Sequence, residues 1–251
     1  MSDQPQKELS WPTHGSRGRH DWWTYLERGY LDPFRDVLAT TPGVVDAVFD
    51  DAGRTMLMYA VATSSALVGM LIKAGADVNR RDAHGRPVWD FVPRWGPQWV
   101  DVWRLLIEAG LDVNSRAPGG QTPLISVCGV YVDPKTSNEY IQSKLDIVRL
   151  LLNAGAQVNV TDQYNVSPLA AAASARSEKV VKLLRKAGAD PNLPAHGNRT
   201  PLFEAAVRGG VSIVQSLLNS GPQSMPRASA AGCDLSRCLR PATWMSRESP
   251  R

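Results

Sequence analysis

One short phrase recurs four times along this chain and constrains its fold more than any other feature. It reads "AGADVN" from Ala74, "AGLDVN" from Ala109, "AGAQVN" from Ala154 and "AGADPN" from Ala187. Each copy is followed by a short polar stretch and then by a helix-start phrase, such as "GQTPL" from Gly120. Self-similarity at a fixed period is the sequence signature of stacked structural repeats.

Five start phrases mark the units, at intervals of 32, 35, 45 and 33 residues. They begin at Gly53, Gly85, Gly120, Asn165 and Asn198. A Thr or Ser before Pro-Leu suits a helix N-cap, with proline at the first helical position. A second helix follows in each unit, because apolar residues there recur on one stripe, as in "VSIVQSLLNSG". Glycine then stands where a helix ends at positive φ, at Gly75, Gly110, Gly155, Gly188 and Gly221.

These phrases resemble the ankyrin-repeat signature, whose unit is about 33 residues long and opens on Thr-Pro-Leu-His. The resemblance covers five units over residues 50–221, and "WWTYLERGYLDPFRDVLAT" before them predicts a further unit with Phe34 facing inward. It implies an all-α solenoid of helix-turn-helix units joined by β-hairpin loops. The histidine of the family signature is absent throughout, and Pro93 interrupts the first helix of the third unit.

The expected organisation has three parts. Residues 1–19 form a flexible arm, residues 20–221 form a repeat domain of about six units with a degenerate first one, and residues 222–251 form a disordered tail rich in Arg, Ser and Pro. The fourth unit is lengthened by "GVYVDPKTSNEYIQSK" (129–144), which we expect to be a polar loop. Two interpretations of this insertion are open, tolerated loop growth and a recognition loop.

The chain shows no pattern that predicts chemistry. It has no GxSxG, Walker, GxGxxG or HExxH motif, so we expect no enzyme activity, no cofactor and no metal site. Its apolar runs fall short of the roughly 20 residues that a membrane helix needs, and the N-terminus lacks the apolar region of a secretory signal. Three cysteines fit a reducing compartment better than a disulfide scaffold. We therefore expect a cytoplasmic monomer without membrane contact.

The resemblance implies that a protein partner binds the concave face, which hairpin tips and first helices form. The candidate contact residues lie at those tips, in the insertion or where a first helix ends: Arg54, Arg81, His84, Arg86, Arg94, Trp95, Arg116, Tyr131, Tyr164, His196, Arg199 and Arg208. The arginines predict a basic stripe for an acidic protein surface, with Trp95 and Tyr164 as aromatic anchors. The other interpretation is that the hairpin tips are merely solvated. Whether Trp95 is exposed or buried is also open.

A protein-interaction module is therefore the predicted function. A regulator or an inhibitor of the immunity type is one form of it, without support from particular residues. The alternative is a nucleic-acid-associated protein that uses the basic tail, although the arginines of that tail are separated by Ser and Pro. Nucleic acid is thus the less favoured partner, and steep salt dependence of binding would identify it.

Overall fold

α-Helices dominate the computed structural model, which describes residues 24–25, 28, 30–41, 43–131, 138–193 and 199–218. Their bounds are α1 Asp32–Thr40, α2 Met56–Ala60, α3 Ser65–Lys73, α4 Pro97–Glu108, α5 Pro123–Cys128, α6 Asn138–Asn153, α7 Pro168–Ser174, α8 Glu178–Lys186, α9 Pro201–Val207 and α10 Val211–Leu218. Short 3-10 helices occupy Val44–Asp46 and Val88–Phe91. None of the helices in these ranges combines the length and apolarity that crossing a membrane requires.

The helices form stacked pairs, as the repeats predict. Helix α5 packs against its own partner α6 and against α7, the first helix of the next unit, and α7 packs in turn against α9. The second helices follow the same order, since α3 packs on α4 and α4 packs on α6. Each unit therefore buries its apolar side against its neighbours rather than alone. The hairpins between units are short, with isolated bridges such as that between Arg81 and Pro87.

Local sequence explains where the first helices begin. The hydroxyl groups of Thr122, Ser167 and Thr200 accept hydrogen bonds from the backbone N–H groups three residues later, so they are N-caps as predicted. In the third unit, proline replaces the capping residue and Pro93 follows closely. The first helix there is only the 3-10 turn Val88–Phe91, which confirms the predicted interruption.

The recurring phrase ends each unit and ties it to the next. Glycines 75, 110, 155 and 188 adopt φ between 85° and 91°, as expected for helix ends. The asparagine side chain of the phrase then spans two units. Asn114 donates from Nδ2 to the Gly155 carbonyl at 3.2 Å and accepts from the Gln157 N–H at 2.8 Å. Asn79 and Asn159 make the equivalent pairs of hydrogen bonds.

The core runs as one apolar cluster through all described units. Trp89 and Trp103, which occupy apolar positions of the repeat, are fully buried. Phe34 in α1 is also buried, in agreement with the predicted N-terminal unit. Cys128 lies in the core at the end of α5.

The expectation of a polar loop over 129–144 is wrong for its second half. Helix α6 begins at Asn138, and Ser143 and Lys144 within it are buried. The reason is that Ser143 and Lys144 lie about one turn before Ile147 on the core-facing side of this helix and find hydrogen-bond partners there. The predictions for residues 1–19 and 222–251 lie outside the described residues.

Candidate binding groove

An open groove of about 640 Å³ crosses the fourth and fifth units on the side of the hairpins. Its floor consists of small residues from the first helices and the turn after α5, namely Ser126, Gly129, Ala171 and Ser174. Apolar residues flank this floor, namely Ile125, Val130 and Val166. The groove exists because the repeat places short side chains in the first helices, which leaves space between the two hairpins.

One exposed aromatic residue lines this groove, and two more are next in the sequence to lining residues. Tyr164 lines it, Trp95 follows the lining residue Arg94, and Tyr131 follows Val130. The exposed fractions of the three aromatic residues are 54%, 47% and 53%. The structure thus settles the open question of Trp95, which is exposed. The roles of the three residues in contacting a partner remain predictions.

Two hairpin tips hold arginine against a carboxylate and a ring. Asp82 Oδ1 accepts hydrogen bonds from the N–H groups of His84 and Arg86, at 2.9 and 2.8 Å. The guanidinium of Arg86 pairs with Asp82 Oδ2 at 2.7 Å and lies 4.8 Å from the centre of the Phe91 ring. Asp50, Arg54 and Tyr59 repeat this arrangement one unit earlier.

The electrostatics of these tips are set by competition between burial and hydrogen bonding. Burial raises the pKa of the Asp82 carboxyl, but hydrogen bonds from the backbone and side chain of Arg86 and from the His84 N–H outweigh it. The pKa of Asp82 is therefore lowered below its ordinary value. The pKa of Asp50 is also lowered. Burial raises it, but hydrogen bonds from Tyr59 and the backbone outweigh burial.

Two further arginines tie units together. Arg81 Nη1 donates to the carbonyls of Gly85 and Arg116, both at 2.7 Å. Arg116 Nη1 donates to the carbonyls of Gly120 and Thr161, at 2.9 and 2.7 Å. These guanidinium groups act inside the molecule, a role that the sequence did not indicate.

The remaining candidate residues differ in how exposed their side chains are and in whether they pair with other residues. Arg94 donates to Asp90 at 3.2 Å, and its side chain is 42% exposed. Arg199 stacks on Phe203 at 5.2 Å and lies 3.6 Å from Glu204. His84 and Arg208 are exposed, whereas His196 lies outside the described residues. Of the predicted arginines, only Arg94 lines the groove.

A buried lysine that sequence reasoning missed supports the turn after α5, where Gly129 and Val130 line the groove. Lys144 Nζ donates to the carbonyls of Cys128 and Val130, at 3.1 and 2.6 Å, and to Ser177 Oγ at 2.8 Å. Burial lowers the pKa of Lys144 to about 8, and burial raises the pKa of the Cys128 thiol to about 12. The lysine holds the turn after α5, and the signal for it was its place one turn before Ile147 on the apolar stripe.

Metal-ligating side chains do not gather in the described parts of the chain. No group of three or more His, Cys, Asp or Glu residues there is arranged to hold an ion. The groove itself presents hydroxyl groups, the guanidinium of Arg94, the carboxylate of Asp162, the amide of Gln121 and apolar surface. A lining that is largely apolar with a few polar groups suits contact with another molecule.

Comparisons with known proteins identify the repeat. A family model for ankyrin repeats in three copies matches residues 139–227, and a model for a single ankyrin repeat matches residues 52–83. The rat (Rattus norvegicus) protein "Ankyrin repeat and SAM domain-containing protein 6" is 33% identical over 148 residues. The match covers 59% of this chain and 15% of that protein, so this chain spans only a small part of its relative. The comparisons confirm the resemblance and the all-α repeat solenoid.

Proposed function

Because this chain belongs to the ankyrin-repeat family, we propose that it is an interaction module that binds a protein partner in the groove of its fourth and fifth units. Ankyrin repeats generally mediate contacts between proteins. We take the chain to be a cytoplasmic monomer that acts by binding to its partner protein. The chain would then act as a regulator or an inhibitor of one target protein.

The observation that carries this proposal is the distribution of exposed aromatic residues. Among the described residues, the strongly exposed aromatic side chains are Tyr30, Trp95, Tyr131 and Tyr164. Tyr164 lines the groove, Trp95 and Tyr131 are each next in the sequence to a residue that lines it, and Tyr30 lies in the N-terminal unit. Aromatic residues carry a large share of binding energy at the centres of protein interfaces.

The rigidity of the groove supports the same function. Its two hairpins are held by Arg116, which bridges Gly120 and Thr161, and its floor lies on two capped helices. A surface that is fixed before binding loses little conformational entropy when the partner arrives. The groove can therefore recognise a partner without rearranging its own backbone.

Site-specific photo-crosslinking tests the proposal. We would place p-benzoylphenylalanine at Tyr164 or Tyr131, with Arg149 on the exposed side of α6 as a matched control. Crosslinks to a defined partner protein from positions 164 and 131, but not from position 149, are the expected result. Crosslinks that form only at position 149, or equally at all three positions, would show that the groove is not the binding surface.

A further inference from the structure

We propose that the groove binds an extended, acidic segment of the partner, with a carboxylate side chain on Arg94 and a branched aliphatic side chain on the floor of Ser126, Gly129 and Ala171. This inference rests on the proposed function and adds the chemistry of the ligand. Three observations carry it: the charge of the groove, its shape and an unpaired hydroxyl group in its floor.

Of the two charged residues that line the groove, the exposed one is a cation. These two residues are Arg94 and Asp162. Asp162 is buried, and its Oδ1 already accepts hydrogen bonds from the N–H groups of Tyr164 and Val166, both at 2.9 Å. Arg94 is half-exposed and donates one hydrogen bond, to Asp90 at 3.2 Å. A guanidinium carries five N–H donors, so Arg94 retains the capacity to bind a carboxylate with two parallel hydrogen bonds.

The shape of the groove selects a segment rather than a folded surface. A volume of about 640 Å³ falls within the range of roughly 300–1,000 Å³ typical of pockets that enclose small ligands. Glycine, alanine and serine side chains in the floor leave depth for one bulky side chain, and Ile125, Val130 and Val166 provide apolar walls. A branched aliphatic group would bury most of its surface there.

An unsatisfied hydroxyl group lies in the same floor. Ser126 is 8% exposed, and its Oγ has no hydrogen-bond partner among the described atoms. An unpaired buried polar group costs about 1–3 kcal/mol. A backbone amide or carbonyl of a bound segment would supply the missing partner after a rotation of the serine side chain. The hydroxyl is therefore a second feature, independent of charge, that a peptide ligand would complete.

Synthetic peptides test this inference directly. The probes are terminally blocked octapeptides of Gly and Ser that contain one Glu and one Leu, separated by zero to three residues. Binding to the full chain is followed by NMR chemical-shift titration. At one or more separations, we expect affinity at least tenfold higher than for the same peptide with Gln or Lys in place of Glu, and a loss of similar size when Leu becomes Ala.

Variants of the chain make the test specific. Arg94→Glu should abolish the preference for Glu, whereas Arg104→Glu should preserve it. Arg104 is a matched control because it also pairs with one aspartate, Asp101, but does not line the groove. Ser126→Ala should raise thermal stability while weakening peptide binding severalfold, a combination that loss of folding cannot produce.

Equal affinity for Glu, Gln and Lys peptides would overturn the inference, and so would equal effects of Arg94→Glu and Arg104→Glu. Crosslinks from Tyr164 to a partner that occur without any peptide preference would overturn only this inference and leave the proposed function standing. A clear preference for Glu peptides without crosslinks to a partner protein would overturn the proposed function, and with it the assignment of the acidic segment to a protein partner.

Discussion

The indole ring of Trp95 lies against the phenol ring of Tyr140, with centroids 5.4 Å apart and planes inclined by 51°. Trp95 follows the 3-10 turn of the third unit, and Tyr140 belongs to the first turn of α6 in the lengthened fourth unit. Beside them, the Gly96 N–H donates to Ser143 Oγ at 3.2 Å. The interrupted third unit and the lengthened fourth unit therefore support each other through these two contacts.

A double-mutant cycle measures this support. Trp95→Ala and Tyr140→Ala should each lower the free energy of unfolding, and together they should lower it by less than the sum. We expect a coupling energy of about 1 kcal/mol, as for other aromatic pairs. Urea denaturation monitored by circular dichroism gives the values. Trp95→Ala combined with Tyr164→Ala is the control pair, and a coupling there of the same size would contradict the specific contact.

Truncation of Lys144 should destabilise the fold. Lys144→Ala removes the donor for the carbonyls of Cys128 and Val130 and leaves space in the core. We expect a loss of about 2–3 kcal/mol in the free energy of unfolding. Replacement of residues 129–144 by a short connection should destabilise the chain for the same reason. Urea denaturation at pH 7 checks both, and unchanged midpoints would contradict the role of the buried ammonium.

The pH dependence of stability gives Lys144 a second signature. Its pKa is about 8 in the folded chain and 10.5 when exposed, so between these values the unfolded chain binds more protons. The free energy of unfolding should therefore rise with pH across this window, relative to Lys144→Met. The raised pKa of the Cys128 thiol acts oppositely above pH 9, so both chains should carry Cys128→Ala. Parallel stability curves from pH 7 to 10 would contradict the expectation.

What the sequence could predict follows from which interactions are local. The N-caps and the helix ends at glycines 75, 110, 155 and 188 follow from spacing within one unit, and these predictions are confirmed. The predicted helix end at Gly221 lies outside the described residues. Contacts between units were not accessible in this way. Lys144 meets Ser177 across 33 residues, and Arg81 meets the Arg116 carbonyl across 35. Polar residues that reach a neighbouring unit look like ordinary surface residues in the sequence.

The asparagine of the recurring phrase should stabilise the stack more than its exposure suggests. Asn114→Ala removes two hydrogen bonds between units, to the Gly155 carbonyl and from the Gln157 N–H. We expect the free energy of unfolding to fall by about 1–3 kcal/mol, whereas Asn114→Asp should recover part of this because it retains the acceptor. Asn153→Ala, at an exposed position of α6, is the control. Equal effects of Asn114→Ala and Asn153→Ala in urea denaturation would contradict a stabilising role for the asparagine hydrogen bonds between units.

Charge reversal at two arginines should separate folding from binding. Arg86→Glu places a carboxylate beside the buried Asp82 and removes the guanidinium from the Phe91 ring, so we expect a loss of about 2 kcal/mol in the free energy of unfolding at pH 7. Arg94→Glu disturbs only a half-exposed pair with Asp90 and should cost less than about 1 kcal/mol.

The acid side of the stability curve checks the same assignment. The pKa of Asp82 is lowered in the folded chain, so its contribution to stability is present above the ordinary value of 3.8 and is lost as the pH falls below it. Arg86→Glu should weaken this loss, because the hydrogen bond and the charge of Arg86 help to lower that pKa. Arg94→Glu should leave the acid dependence unchanged while it abolishes the preference for Glu peptides. Urea denaturation between pH 3 and 7 distinguishes the two variants, and a loss of peptide preference in Arg86→Glu alone would mean that Arg86 is the binding cation instead.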